Sequence, residues 1–239
     1  MSLRGTDLTK IYAHRKVVDD VNIEVNEGEI VGLLGPNGAG KTTTFYMIVG
    51  VIKPNPGAIY LNRDNITQLA MYKRARTGIG YLPQEPSIFR KMTVEENIKS
   101  ILQTLDIKDS EKEKRLFALM DELGVKHLAK SKAYTLSGGE KRRVEIARSL
   151  VTSPHYILLD EPFLGIDPLA VIDIQEIVKQ LKKRGLGILI TDHNVRETLK
   201  IIDRAYIMYE GKILLSGNAE ELSNSEEARQ VYLGPRFTM

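Results

Sequence analysis

The chain has 239 residues, a formal net charge of +3 and no cysteine, so it can bury a substantial core but has no disulfide framework and no thiol chemistry. The hydrophobic fraction of 42% and the charged fraction of 27% are typical of a soluble globular protein, and no apolar run is long enough to span a membrane. The mild charge does not indicate nucleic-acid binding, and the N-terminus lacks a signal-peptide pattern, so we expect a cytoplasmic protein.

The first ninety residues indicate strands. Apolar and polar residues alternate over 21–25, which is typical of a half-buried strand. A short apolar run over 29–34 predicts a second strand. The sequence Pro-Asn-Pro-Gly at 54–57 predicts a turn, and a further strand is expected at 58–61.

Residues 35–42 read Gly-Pro-Asn-Gly-Ala-Gly-Lys-Thr, which is a complete G-x-x-x-x-G-K-[ST] phosphate loop. Its glycines let backbone N–H groups point inward, and a helix predicted at 43–49 adds its N-terminus to this nest for phosphate oxygens. Lys41 can reach the β- and γ-phosphates, and the hydroxyl of Thr42 can ligate Mg²⁺. An accidental match is disfavoured by the strand–loop–helix context. The expected nucleotide-binding residues here are Gly35, Pro36, Asn37, Gly38, Ala39, Gly40, Lys41, Thr42 and Thr43.

The pattern becomes helical near residue 90. Candidate capping boxes begin at Thr93, Ser110 and Ser137, each with a glutamate three residues later. Apolar residues at helical spacing follow the second box and stop at Gly124. These signals predict a helical subdomain.

An α/β pattern returns after residue 153. Apolar runs at 156–159 and 187–190 predict buried strands on either side of an amphipathic helix at 169–183, and a hairpin is expected around Glu210 and Gly211. We therefore predict an α/β fold with a mostly parallel core sheet, an antiparallel β subdomain and an inserted helical subdomain. The expected boundaries are about 1–89 and 153–239 for the core with the β subdomain, and about 90–152 for the helical subdomain.

Two acidic residues follow the strand predicted at 156–159. A phosphate loop needs an acidic partner at the end of a neighbouring strand, and Asp160 is placed to hold Mg²⁺ directly or through water. Glu161 can orient the attacking water. A strand-end pair that only caps the next turn is the alternative, which the phosphate loop disfavours.

The sequence Leu-Ser-Gly-Gly-Glu at 136–140 predicts a second anion site. Ser137 is the expected N-cap of a helix whose first turn offers free N–H groups and the positive end of the helix dipole. A cap alone does not need two glycines in the first turn, where their helix propensity is poor. The expected binding residues are Ser137, Gly138, Gly139 and Glu140.

With these motifs the sequence resembles the ATP-binding cassette (ABC) family over nearly its whole length. The resemblance also includes Tyr-Leu-Pro-Gln at 81–84 and Thr-Asp-His at 191–193. It implies a P-loop NTPase fold of the ABC-cassette type, ATP and Mg²⁺ as ligands, and hydrolysis of ATP to ADP and phosphate.

The resemblance also implies roles for single residues. Gln84 would contact Mg²⁺ and the attacking water, and His193 would bond the γ-phosphate. Tyr12 lies where an aromatic ring stacks on adenine, although a strand-edge aromatic is the alternative. Asp167 would keep its interfacial role although 165–168 departs from the common Ser-Ala-Leu-Asp. The implied catalytic group is Lys41, Gln84, Glu161 and His193, and the implied Mg²⁺ ligands are Thr42, Gln84 and Asp160.

The resemblance further implies partners. The chain has one phosphate loop and one helix that begins at the Leu-Ser-Gly-Gly-Glu motif. The resemblance therefore implies a head-to-tail homodimer in which Ser137 and Gly139 cover the ATP of the partner. Two transmembrane permease subunits would contact the surface around Phe89, Arg90 and Met92, unless Phe89 and Met92 belong to the subdomain core. The protein would then lie on the cytoplasmic face of the inner membrane, without nucleic acid as a partner.

Three segments resemble one branch of the family. Residues 160–168, 190–199 and 231–237 are similar to the ATPase of lipopolysaccharide export, with a departure at Leu164, where that branch often has alanine. The alternatives are the ATPase of a branched-chain amino-acid importer and a soluble non-transport ABC ATPase. The tail from 218 to 239 is expected either to pack at the dimer interface or to close the fold.

Overall fold

The computed structural model describes residues 1–234. The strands are β1 (Ser2–Tyr12), β2 (Arg15–Asn26), β3 (Ile30–Leu34), β4 (Ala58–Leu61), β5 (Asp64–Asn65), β6 (Ile79–Leu82), β7 (Tyr156–Asp160), β8 (Gly187–Thr191), β9 (Arg204–Tyr209) and β10 (Lys212–Gly217). The helices are α1 (Lys41–Val49), α2 (Met71–Arg76), α3 (Val94–Leu102), α4 (Asp109–Glu122), α5 (Gly138–Leu150), α6 (Pro168–Lys183), α7 (Val195–Leu199), α8 (Ala219–Asn224) and α9 (Glu226–Ala228). Two 3₁₀ turns (Lys126–Leu128 and Ala133–Thr135) and a π-helical turn (Arg229–Leu233) complete the secondary structure.

A six-stranded sheet in the order β10-β9-β3-β8-β7-β6 forms the centre of the fold. β9, β3, β8, β7 and β6 run parallel, and β10 pairs antiparallel with β9. β3, β7 and β8 are buried along their whole length, as expected of parallel strands covered on both faces. Since parallel strands end at a common edge of the sheet, the residues that follow β3, β6, β7 and β8 meet there.

A second sheet in the order β2-β1-β4-β5 is antiparallel throughout. Its buried side chains, among them Leu8, Val21 and Ile59, join Phe45 and Met47 of α1 in one apolar cluster. This sheet is the predicted antiparallel subdomain, and together with the parallel core and α3–α5 it confirms the predicted fold class. The boundaries near residues 89 and 153 stay a prediction.

The helices α3 and α5 begin at the capping boxes expected for them. The backbone N–H of Glu96 donates to Thr93 Oγ1 at 3.1 Å, and that of Glu140 donates to Ser137 Oγ at 3.3 Å. The box expected at Ser110 is wrong, because α4 begins at Asp109 and its N-cap, Lys108, makes no side-chain cap. Asp109 and Glu111 instead place carboxylates in the first turn, where the helix dipole favours negative charge.

Arg74 connects α2 to the end of the phosphate-loop helix α1. Its side chain is buried, and burial lowers its pKa to about 10. α1 has no basic residue in its own last turn, so the guanidinium supplies the positive charge that the C-terminal end of the helix favours. Gly50 has φ +92°, and any Cβ there would approach Arg74 Nε to 2.8 Å, so this contact requires glycine. The guanidinium donates to the carbonyl oxygens of Met47, Ile48, Thr67 and Leu69.

The described part of the C-terminal segment packs on the core. Leu222 and Ala228 are buried in the main apolar cluster, and Tyr232 and Leu233 pack against it. Residues 218–234 therefore close the fold of their own chain. Phe237, part of the similarity noted at the end of the sequence, lies outside the described residues. Within residues 1–234, no helix combines the length and the apolar character needed to cross a membrane.

Candidate active site

The phosphate loop connects β3 to α1 and lines a cavity of about 440 Å³. Glycine is required at Gly35, where φ is +147° and a Cβ would lie 2.2 Å from the carbonyl oxygen of Met208. Lys41 is buried, and its Nζ donates to the carbonyl oxygens of Gly35 and Pro36 at 2.7 and 2.9 Å. Burial lowers the pKa of Lys41, while Glu161 and Asp160 oppose this shift. The loop thus presents a cation and several backbone N–H groups to the same cavity, which is an arrangement for phosphate.

Asp160 forms the buried end of β7. Its Oδ1 accepts a hydrogen bond from Thr191 Oγ1 at 2.8 Å, and its Oδ2 lies 3.5 Å from the donating hydroxyl of Tyr81. Burial raises the pKa of Asp160, and these two hydrogen bonds, Arg142 and Lys41 oppose the rise. The carboxylate is therefore oriented by neighbouring strands and held where its charge is costly.

Glu161 stands at the junction of three strand ends. Its φ of 48° is left-handed, a strained conformation for a residue with a side chain. Its Oε2 accepts a hydrogen bond from Gln84 Nε2 at 2.9 Å, and its Oε1 lies 2.7 Å from Nε2 of His193. Gln84 follows β6 and His193 follows β8, so the structure brings together three of the four residues expected to be catalytic. Lys41 lines the same cavity.

The other expected binding residues lie outside this cavity, and Gly139 among them is buried. Ser137 and Gly138 are exposed at the start of α5, and Asp167 is exposed at the start of α6, where its Oδ1 accepts from the N–H of Ala170 at 3.0 Å. The two helix starts are in contact, because a Cβ on Gly139 would lie 2.5 Å from that of Ala170. None of these residues lines the described cavity of this chain.

Glu140 is tied to its own helix. Its carboxylate accepts the backbone N–H of Ser137 at 2.7 Å, and this hydrogen bond is the main cause of its lowered pKa. Tyr12 is 48% exposed at the end of β1, with Lys10 Nζ 5.3 Å from its ring centroid, and it does not line the cavity either.

Arg142 of α5 is a central residue of the site that sequence reasoning missed. It is 7% exposed, and its guanidinium donates to the carbonyl oxygens of Asp160 at 3.0 Å and Glu161 at 3.1 Å. It also donates to the carbonyl oxygens of Pro162 and Pro83. Burial lowers its pKa, and the nearby Glu145 opposes this shift. Arg142, which belongs to the helical subdomain, thus fixes the backbone of Asp160 and Glu161 at the end of β7.

Glu145 extends this connection to the segment after Gln84. Its Oε2 pairs with Arg142 at 3.2 Å, and its Oε1 accepts the backbone N–H groups of Ser87 and Ile88 at 2.7 and 3.1 Å. The signal for this pair was available, since a basic and an acidic residue three apart on an otherwise buried helix face are neighbours. The run Lys-Arg-Arg at 141–143 concealed it, because such runs are usually solvated.

Comparisons with known proteins agree with these motifs. A family model described as ABC transporter matches residues 18–164. The "Lipopolysaccharide export system ATP-binding protein LptB" of Acidithiobacillus ferridurans is 54% identical over 98% of this chain and 98% of its own length. A crystal structure of the ADP conformation of an ATP-binding cassette of an ABC transporter matches with a TM-score of 0.89 and 31% identity, over 98% of this chain and 99% of that one. A dimeric post-hydrolysis cassette bound to ADP and phosphate shares the fold, with a TM-score of 0.80 at 24% identity over 91% of this chain and 98% of that one.

The Arg142 contacts predict a defect in turnover. Arg142→Lys keeps a cation but loses the planar fork that reaches several carbonyls at once. We expect the kcat for ATP hydrolysis to fall by about tenfold or more, since misplacement of a catalytic group is costly, while ATP binding changes little. Phosphate release measures kcat for both variants. The control is Arg143→Lys, at a neighbouring arginine that pairs with Asp173 at 3.6 Å. Equal kcat values for both variants would contradict this role.

Burial of Asp160 predicts a trade-off between stability and activity. Its pKa is raised on folding, so the ionised carboxylate destabilises the folded state at pH values above its folded-state pKa. We expect Asp160→Asn to raise the melting temperature at neutral pH while turnover is lost. The gain should shrink as the pH falls below the folded-state pKa and vanish below the unfolded-state pKa, because the wild-type carboxyl is then neutral in both states. Calorimetry over pH measures this, with the exposed Asp64→Asn as the control; a lower melting temperature at neutral pH would refute it.

Proposed function

The chain belongs to the ABC transporter family as an ATP-hydrolysing subunit, and from this premise we propose that it drives lipopolysaccharide export from the inner membrane toward the outer membrane. The observation that carries the proposal is the 54% identity, over nearly the whole of both chains, to a protein named as the ATP-binding protein of that export system. Because the relation extends beyond the family motifs to both ends of the chain, it supports a shared transport system and not only a shared ATPase domain.

ATP is the ligand of the phosphate-loop cavity. We propose that the backbone N–H groups of residues 37–43 bind its phosphate oxygens and that Lys41 exchanges its contacts with two loop carbonyls for the β- and γ-phosphates. Tyr12, half-exposed at the end of β1, is positioned outside the phosphate cavity and would stack on the adenine.

The residues present fit Mg²⁺ as the metal cofactor. Mg²⁺ prefers oxygen ligands and is usually held by one or two carboxylates together with substrate phosphates. Thr42 and Gln84 line the cavity and supply a hydroxyl and an amide oxygen, and Asp160 supplies a carboxylate from the buried end of β7, next to Glu161. Residues 1–234 contain no cluster of three or more His, Cys, Asp and Glu side chains suited to a metal. When bound, Mg²⁺ would neutralise charge on the phosphates.

Glu161 is proposed to orient the attacking water. In hydrolysis a water oxygen bonds to the γ-phosphorus, the bond from that phosphorus to the β–γ bridging oxygen breaks, and the Glu161 carboxylate accepts the proton that the water loses. Gln84 and His193 each contact one oxygen of the Glu161 carboxylate, so both are within reach of the same water and phosphate. His193 would bond the γ-phosphate, and Gln84 would contact the water and the metal.

A head-to-tail homodimer would complete the site. Ser137, Gly138 and Asp167 are exposed and do not line the cavity of their own chain, so they are free to cover the ATP of a second copy. The N-terminus of α5 would then direct its N–H groups and dipole at the γ-phosphate of the partner. A dimer is the form of one solved cassette of the same fold.

Two transmembrane permease subunits are proposed to contact the surface around Phe89, Arg90 and Met92, which places the protein on the cytoplasmic face of the inner membrane. Phe89 and Met92 are 43% and 40% exposed, so they are not subdomain core. The guanidinium of Arg148 lies 4.3 Å from the Phe89 ring centroid and donates to the carbonyl of Ser87. This surface is therefore continuous with the Glu145–Arg142 connection to the catalytic carboxylates.

The proposed mechanism predicts the behaviour of Glu161→Gln. The amide keeps the shape of the side chain but is a poor proton acceptor, so turnover should fall about a hundredfold or more while ATP still binds. Since hydrolysis loosens the proposed dimer, the ATP-bound dimer of this variant should accumulate. Light scattering measures its molar mass. A monomer with saturating ATP at tens of micromolar protein would count against the dimer.

Gentle purification of the tagged protein from its own cell membranes tests the transport proposal. We expect two permeases of the lipopolysaccharide-export type to co-purify, and Arg90→Ala to reduce their recovery severalfold. Arg63→Ala, an exposed arginine on the β subdomain, is the matched control. If amino-acid permeases co-purify instead, the proposed function changes from lipopolysaccharide export to amino-acid import. If only ribosomes or DNA co-purify, the protein is not a transporter subunit.

A further inference from the structure

Tyr232 connects the C-terminal segment to two catalytic loops. It lies in the π-helical turn Arg229–Leu233, which is closed by a hydrogen bond of 2.8 Å from Gly234 N–H to the carbonyl of Arg229. Its hydroxyl donates to the carbonyl oxygen of Asp192 at 3.4 Å. Burial raises the pKa of the Tyr232 hydroxyl, and the nearby backbone N–H of Gly35 counteracts this rise. The hydroxyl therefore lies between the first residue of the phosphate loop and the loop that carries His193.

The carbonyl that Tyr232 contacts belongs to the peptide unit that leads into His193. This unit is planar, so fixing its oxygen also fixes the direction in which the backbone enters His193. The Asp192 side chain, 3% exposed, holds the same loop by accepting the backbone N–H groups of Phe163 at 3.1 Å and Asn194 at 2.7 Å. The position of His193, and hence its 2.7 Å contact with Glu161, depends on these hydrogen bonds.

The other end of the connection is rigid. Gly35 cannot shift toward β9, because its backbone lies so close to the carbonyl of Met208 that even a Cβ does not fit. Burial and the charges of Asp192 and Glu161 raise the pKa of Tyr232 to about 12, so its hydroxyl stays neutral over the range of an enzyme assay. It can therefore donate one hydrogen bond and accept another at every assay pH.

We infer that Tyr232 is a positioning residue, whose hydroxyl holds the loop of His193 in register with the phosphate loop and so makes the rate of ATP turnover depend on the docked C-terminal segment. The inference rests on the proposed roles of Glu161 and His193. Tyr232 itself touches neither the nucleotide nor the reacting atoms; it acts through the backbone of Asp192 and Gly35.

Tyr232→Phe tests the inference, because it keeps the packed ring and removes only the hydroxyl. We expect kcat to fall by about threefold to tenfold, the effect of losing one modest hydrogen bond at a positioned group. The KM for ATP should stay within about twofold, since β3 and α1 still hold the phosphate loop. Amide hydrogen exchange should become faster at Phe163 and Asn194, whose N–H groups bond to Asp192.

Tyr156→Phe is the matched control. Tyr156 is 1% exposed and begins β7, the strand that ends in Asp160, but its hydroxyl has no hydrogen-bond partner within the described residues. Removing it should leave kcat and the exchange at Phe163 and Asn194 unchanged.

Each outcome decides the inference. An unchanged kcat and unchanged exchange in Tyr232→Phe overturn it, while loss of turnover in His193→Ala in the same assay leaves the proposed function standing. Equal losses in Tyr232→Phe and Tyr156→Phe also overturn it, since they indicate a general effect of removing a buried hydroxyl. Full turnover in both His193→Ala and Glu161→Gln overturns the inference together with the proposed roles on which it rests.

Discussion

The guanidinium of Arg142 is the interaction on which the rest of the site depends. A buried cation is costly unless each of its donors is satisfied, and here four carbonyl oxygens and one carboxylate do so. Three of those carbonyls belong to consecutive residues from Asp160 to Pro162, so one side chain fixes the backbone on both sides of Glu161. Because Glu161 is left-handed, this backbone would relax without an external constraint.

The parallel sheet supplies the second constraint. β6, β7 and β8 are neighbours and end at the same edge, so Gln84, Glu161 and His193 meet although 77 and 32 residues separate them along the chain. The sheet sets the spacing between these side chains, and Arg142 connects that spacing to the helical subdomain. A displacement of the surface around Phe89 would therefore reach the carboxylates through Ser87, Glu145 and Arg142 without any change in the sheet.

The sequence predicted those features that depend only on neighbouring residues in the chain. The phosphate loop, the strand before it and the capping boxes at Thr93 and Ser137 are encoded within a few residues, and the structure contains them. The capping box predicted at Ser110 is wrong, because a serine fits either the N-cap or the first turn of a helix. In the structure α4 begins one residue earlier, at Asp109, so Ser110 lies in the first turn. Arg74, Arg142 and Tyr232 could not be assigned, since their main partners are backbone groups distant in sequence, and such groups leave no residue-specific signal.

Under the proposed roles, the contacts at Glu161 give binding and turnover a common physical basis. Gln84 and His193 both contact the Glu161 carboxylate, and Lys41 bonds to loop carbonyls, so these groups already have partners within the chain. Exchanging one partner for a phosphate oxygen gains little net free energy per bond, because a hydrogen bond is lost for each one made. The same exchange removes donors from Glu161 and so increases its capacity to accept from water. Affinity must then come mainly from the loop N–H groups and the second copy, whereas Gln84 and His193, by leaving Glu161, make its carboxylate available when the γ-phosphate is present.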